Sequence, residues 1–244
     1  MNTPPLKVLF LTPYFRPYLG GIERAVEQLS FNLLESGRVA SVAVLTTKYA
    51  FPRIPHPEWS DYELSTGGIV IYRINGYPMK PPPVFSVPLV WFSPLQIKKI
   101  LDDFDPDVVH FVGDGWFVGH LWCLFWSKNK AKFIFTPSYH KLSIARWWLR
   151  LINGVISGLV DKVVSLSNLE ADLVGRDYWV NRKKKHVIGW GATPLESSDS
   201  NTESFLTGSG GQTPINILCV GRLGDHKGQY WLLEIYKHAR TKFN

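Results

Sequence analysis

The stretch Val8-Leu9-Phe10-Leu11-Thr12-Pro13, followed by Leu19-Gly20-Gly21-Ile22-Glu23-Arg24, decides the fold. Four consecutive apolar residues that stop at Thr-Pro predict a strand buried on both faces of a parallel sheet. Beyond the glycines, Ile22, Ala25, Val26, Leu29 and Leu33 recur at helical spacing until Ser36-Gly37 ends the helix. Val42-Ala43-Val44-Leu45-Thr46 is the next strand. The chain therefore opens on a βαβ unit.

The same rhythm runs on. Strands are predicted at Ile69–Ile74, Asp107–Phe111, Phe133–Thr136, Lys162–Ser167 and His186–Gly189. Helices are predicted at Leu95–Phe104, at Trp116–Ser127 and after Asn168, which is read as a cap. This alternation implies an α/β fold with a doubly wound, mainly parallel, Rossmann-like sheet. Phe51–Tyr62 and Tyr77–Phe92 interrupt it; both are rich in Pro and aromatic residues and too long for plain connectors. Pro194–Pro214 has linker composition. The strand–loop–helix theme then returns at Ile215–Val220, read as a buried strand, with Gly221-Arg222-Leu223 and Lys227-Gly228 behind it. The expected organisation is a domain over 1–193, a linker over 194–214, and the incomplete start of a second Rossmann-like domain over 215–244.

The formal net charge of the 244 residues is +7, which fits nucleic acid, an anionic membrane surface or phosphorylated small molecules. No zinc finger, RNP-type strand or helix-turn-helix is visible, which argues against nucleic acid. Cys123 and Cys219 lie far apart in apolar runs and read as buried free thiols in a reducing compartment. Met1–Lys7 lacks the features of a signal peptide, and Phe111–Trp126 is too short and interrupted to span a bilayer. A cytoplasmic protein, peripheral at the inner face of a membrane in one reading, is expected.

Several motifs carry chemistry. Gly20 and Gly21 open a helix whose N-terminal N–H groups suit an anion, with Glu23 in the first turn; a flexible turn is the plain alternative. His140 follows the Thr136-Pro137-Ser138-Tyr139 strand end, where open α/β sheets bind ligands, or is a surface loop histidine. His110, inside a strand, reads as a satisfied core histidine. Arg222 and Lys227 flank a turn and would give an anion two charge-assisted contacts; solvated surface charge is the alternative. Arg182-Lys183-Lys184-Lys185-His186 is a basic run. With Trp147, Trp148, Leu151, Ile152, Val155 and Ile156 on one helical face, it admits a membrane contact, although core packing is the commoner fate of such a stripe. No metal-ligand cluster is visible.

Taken together, these residues resemble the retaining, nucleotide-sugar-dependent glycosyltransferases of the GT-B fold, family 4. The likeness rests on Gly20-Gly21-x-Glu23, on Asp105-Pro106-Asp107-Val108-Val109-His110, on His140, and on Val164-Ser165-Leu166-Ser167. Val187-Ile188-Gly189-Trp190-Gly191 and Leu218–Leu223 with Lys227-Gly228 complete it. Trp190 stands where the family usually has Asn, and the family's two donor-binding Glu residues would fall beyond Asn244.

The resemblance implies two Rossmann-like domains, the first on the acceptor side and the second holding the sugar nucleotide. It places Arg222 and Lys227 on the donor diphosphate, Gly20 and Gly21 near the phosphates or the acceptor, and His140 at the transferred sugar. It implies no cofactor, no metal and no protein nucleophile. The implied activity is transfer of a hexose from a nucleoside-diphosphate sugar to a glycan or lipid-linked acceptor, with retention, by a truncated or fragmentary enzyme. The alternative is a non-catalytic acceptor- or partner-binding remnant of such an enzyme; an epimerase of related fold is disfavoured by the Gly-Gly-x-Glu loop.

Overall fold

The computed structural model describes residues 5–18, 20–50, 54–78, 90–91, 93–113, 117–127, 130–139, 147–191, 217–221 and 227–243. The chain divides into two compact units, Met1–Ala192 and Thr193–Asn244.

The first unit is built on an eight-stranded sheet. Its strands, in chain order, are β1 (Leu6–Leu11), β2 (Val39–Thr47), β5 (Tyr62–Leu64), β6 (Val70–Ile74), β9 (Val108–Val112), β10 (Lys132–Thr136), β11 (Lys162–Ser165) and β12 (Lys185–Val187). Two short antiparallel pairs stand apart from it: β3 (Tyr49–Ala50) with β4 (Ile54–Pro55), and β7 (Tyr77–Pro78) with β8 (Val90–Trp91). The spatial order is β12-β11-β10-β9-β1-β2-β6-β5, parallel throughout except for the edge strand β5. The doubly wound, mainly parallel sheet expected from the sequence is therefore present. β5 and the two small pairs were not foreseen; all lie in or beside the Pro- and aromatic-rich segments, where no period-2 apolar pattern marks them.

The helices follow from parallel connectivity. α1 (Gly21–Glu35) links β1 to β2, and α2 (Pro94–Phe104) precedes β9. α3 (Phe117–Ser127), α4 (Trp147–Leu159) and α5 (Asn168–Asp177) each join neighbouring strands on the other side of β1. Alternate strand residues supply two cores. Val8, Phe10, Val42, Val44 and Ile71 pack with Val26 of α1. Leu9, Leu11, Val109, Phe111, Phe133 and Val163 pack with Ile97, Leu101, Cys123, Ile156 and Val174 of α2–α5. Phe10 and Leu9 are both fully buried although they point to opposite faces, which is what a continuous apolar run requires.

One local reading changes and one holds in part. The cap of α5 is Ser167, not Asn168; its side chain accepts from the Glu170 N–H. His110, read as a satisfied core histidine, is half-buried and satisfied, with Nε2 2.8 Å from Thr136 Oγ1 and its pKa pushed down by desolvation to about 4.

In the second unit, α6 (Gln229–Phe243) is formed. Of the segment Ile215–Val220, read as a buried strand that a half unit would leave poorly protected over Ile217–Val220, only residues 217–220 are described. Residues 217–220 carry no strand, and Leu218 is 86% exposed. A lone strand has no ladder partner for its N–H and C=O groups and no layer to cover its faces. Cys219 shares this fate and is exposed, against expectation, whereas Cys123 is buried and its thiol pKa is raised by burial.

Candidate active site

The site forms at the carboxyl ends of the parallel strands. β1 is flanked by β2 on one side and by β9 on the other. The connections leave these strands in opposite directions, which makes this the switch-point position at which open α/β sheets bind ligands.

Three elements converge on the β1–β9 switch point. Gly20 caps α1 in extended conformation and, as a glycine, brings no capping side chain of its own. The buried Glu23 carboxylate curls back over it: a Cβ at Gly20 would stand 2.3 Å from Glu23 Oε2. A carboxylate in the first turn is favoured there by the helix dipole. Gly21, by contrast, has nothing within 4 Å of a Cβ position and faces open space. Gly113 ends β9 with φ +87°, a conformation that favours glycine, and its N–H donates to the Thr136 carbonyl at 2.8 Å. A Cβ there would lie 3.8 Å from Ile22 Cδ1, so the end of β9 abuts the first turn of α1. Thr12, directly after β1, is fully buried, and its hydroxyl finds no partner among the described residues.

The loop after β10 is held by α5. The Glu170 carboxylate accepts from the Tyr139 N–H at 2.7 Å and from the Leu166 N–H at 2.6 Å, tying the ends of β10 and β11 together. The Tyr139 hydroxyl donates to Asp177, which also meets Arg176 at 2.9 Å. Burial alone would raise the Asp177 pKa, but Arg176, Tyr139 and Arg150 together hold it below the usual carboxylate range. Burial, and then this bond to Asp177, raises the Tyr139 pKa. Ser138 adopts φ +50° with its hydroxyl buried and without a partner among the described residues. These contacts fix the backbone immediately before His140, which itself lies outside the described residues, as does Arg222.

At the ends of β2 and β6 lies a cavity of about 680 Å³. Lys48, Tyr49, Asn75, Ser93 and Gln96 line it, with Pro55 and Pro57 from the small hairpin. Lys48 is buried, pairs with Asp61 at 2.6 Å and donates to the Pro57 carbonyl at 3.3 Å. The Tyr49 hydroxyl donates to the Gly76 carbonyl at 2.8 Å. The wall residues Asn75, Gly76 and Ser93 flank the Tyr77–Phe92 segment on either side.

Gly20, Gly21 and Glu23 thus sit at the first turn of α1, beyond the carboxyl end of the interior strand β1. Lys227 belongs to the second unit, where its stem lies 3.9 Å from a Cβ position at Gly221. Sequence reasoning passed over Glu170, Asp177 and the cavity. The Ser167-x-x-Glu170 spacing, that of a capping box, was the available signal for Glu170. Among the described residues no cluster of three His, Cys, Asp or Glu could hold a metal, and no helix is long and apolar enough to cross a membrane.

With this geometry in hand, comparison with known proteins gives the family. The model of glycosyltransferase family 4 matches residues 19–193, and the chain belongs to that family. Among solved structures, a glycosyltransferase from Rickettsia africae ESF-5 is 17% identical with a TM-score of 0.51, covering 77% of this chain and 43% of its own. Sucrose-phosphate synthase from Thermosynechococcus elongatus is 14% identical with a TM-score of 0.55, covering 77% of this chain and 48% of its own. At these identities the likeness is one of fold. The chain spans less than half the length of these two structures. No curated protein matches.

Proposed function

We propose that this chain is the acceptor-side part of a retaining glycosyltransferase that moves a hexose from a nucleoside-diphosphate sugar to a glycan or lipid-linked acceptor. The observation that carries the reading is Gly21. It opens α1 beside the β1–β9 switch point, in a chain of family 4, at a helix N-terminus with open space around it among the described residues. Residues 215–244 open the donor-binding side, with Arg222 and Lys227 neutralising the diphosphate as it leaves. His140, on the loop anchored by Glu170 and Asp177, meets the transferred sugar. The acceptor lodges in the cavity at β2 and β6, whose amide, hydroxyl and ammonium groups suit a polyhydroxylated ligand.

The test is a transfer assay with nucleoside-diphosphate hexoses and glycan or lipid-linked acceptors. Residues 1–244 are assayed alone and with a family donor-binding domain supplied in trans, and the anomeric configuration of the product is read by NMR. Retained configuration and restored transfer on mixing are expected. Inverted product, or neither transfer nor acceptor binding, would overturn the proposal. A second reading is favoured by the exposure of residues 217–220: a non-catalytic acceptor-binding module, which binds acceptor and never transfers.

A further inference from the structure

The helical layer formed by α3 and α4 exposes an apolar surface of unusual composition. α3 (FVGHLWCLFWS) carries no charged residue, and α4 (WWLRLINGVISGL) carries only Arg150. The inward side of α4 is accounted for: Leu149 and Ile156 are buried, and Ile152 packs on the core. Its outward side repeats apolar residues every four positions at Trp147, Leu151 and Val155, with Trp147 61% exposed. On α3, which packs against α4, Leu121 and Phe125 do the same, and Phe125 is 69% exposed. Trp179 extends the ridge: its ring lies over Gly154, where a Cβ would come within 2.7 Å of it. Ridges of this kind mark an interaction site rather than ordinary surface.

What covers the ridge is indicated by charge. Lys184 donates to the carbonyls of Gly158 at 2.6 Å and Val160 at 2.7 Å, fastening the Arg182–Lys185 run to the C-terminal end of α4. Lys130, exposed, follows the end of α3. Cations therefore stand beside both helix ends, and neither helix supplies an acidic residue. Aromatic and aliphatic side chains with a cationic border are what an interfacial helix presents to anionic lipid headgroups.

We infer that the α3–α4 face docks this protein on an anionic lipid bilayer, lying flat with the ridge in the headgroup boundary. α4 follows, in the chain, the Tyr139 loop at the carboxyl end of β10. The inference stands apart from the glycosyl-transfer reading, and its test reads lipid binding alone.

Sedimentation with vesicles of phosphatidylcholine, and of an equal mixture of phosphatidylcholine and phosphatidylglycerol, tests it. The chain should bind the mixed vesicles at low ionic strength, weaken as salt rises, and bind the neutral vesicles less. The double variant Arg182→Glu/Lys183→Glu should weaken binding at least about tenfold, since each basic group near such a surface is worth about fivefold. The variant Phe125→Ser/Trp147→Ser should weaken it on both vesicles; both pairs are exposed, and circular dichroism checks that each variant is folded. Absence of binding at low salt, or equal binding by all forms, would overturn the inference. So would a dimer seen by light scattering that the apolar variant dissolves while vesicle binding stays unchanged, because the ridge would then meet a second copy.

Discussion

Two segments of this chain share one local pattern and meet opposite fates. Val8–Leu11 leads through a glycine loop into α1; Ile217–Val220 leads through Gly221 and Lys227-Gly228 into α6. The first is a fully paired strand between β2 and β9, with Phe10 wholly buried. The second is unpaired, with Val220 87% exposed. The helices diverge likewise. α1 buries Val26 and packs Ile22, Leu29 and Leu33 on the core, whereas α6 leaves Tyr230, Trp231, Leu233 and Ile235 exposed. The contrast teaches that an apolar run specifies a readiness to be buried; neighbouring strands and a covering layer decide whether it is.

The contrast is broken most directly by truncating each strand. Phe10→Ala should cost about 3–5 kcal/mol in denaturant unfolding, through lost transfer energy and the cavity left behind. Leu218→Ala should change stability by no more than about 0.5 kcal/mol. A comparable cost at Leu218 would mean that residues 217–220 are buried in solution. Hydrogen exchange sharpens the same point: amides of β1 should exchange only through global opening, and those of 217–220 at nearly unprotected rates.

The buried face of the first unit has a pH signature that the exposed one lacks. His110 and His120 are held neutral by burial, with pKa values near 4 and near 3. The unfolded chain takes up their protons near pH 6.5, so stability is fully present above that value. It is lost as pH falls toward 4 for His110 and 3 for His120, by on the order of 3 kcal/mol each. Thermal unfolding followed across that range should show the fall. His120→Leu should flatten it, since both ring nitrogens of His120 lack partners among the described residues. A slope unchanged by His120→Leu would show that this ring is not buried neutral.

Smaller effects probe the site. Glu170→Ala removes a carboxylate that serves two backbone N–H groups, and should cost about 2 kcal/mol. Glu170→Gln, which keeps one acceptor oxygen, should recover part of it. Transfer by the assembled enzyme should fall with the loop before His140, whereas unaltered kinetics would separate Glu170 from the site. Gly21→Ala should leave stability level or raise it by up to about 1 kcal/mol, because Gly21 is helical and unobstructed. If a ligand approaches the backbone there, the same change should raise its KM. Unchanged KM would remove Gly21 from the binding surface.

Much of the fold was legible because buried parallel strands announce themselves as short apolar runs and helices by their period. β1, β2, β9, β10 and β11 all read that way. β5 did not: Tyr62-Glu63-Leu64 is exposed, and only its antiparallel pairing with β6 makes it a strand. Gly20 and Gly21 were legible as a helix start because glycine there has few other uses. Glu170 was not, because its role depends on bringing Tyr139 and Leu166 within reach of one carboxylate. The stripe on α4 could be read as core or as contact surface. It is both: packing decides which part of a broad apolar stripe turns inward, and α4 turns Leu149 and Ile156 in and Trp147 and Val155 out.

The order of strands and helices, the glycine-opened α1 and the family likeness were thus determined by the sequence itself, since each depends on local spacing. Tertiary structure alone decided which apolar runs became core, which carboxylates hold the loop before His140, and where the cavity and the exposed ridge lie. Burial and paired hydrogen bonds are properties of neighbours, and neighbours far apart in the chain are set only when the sheet is assembled.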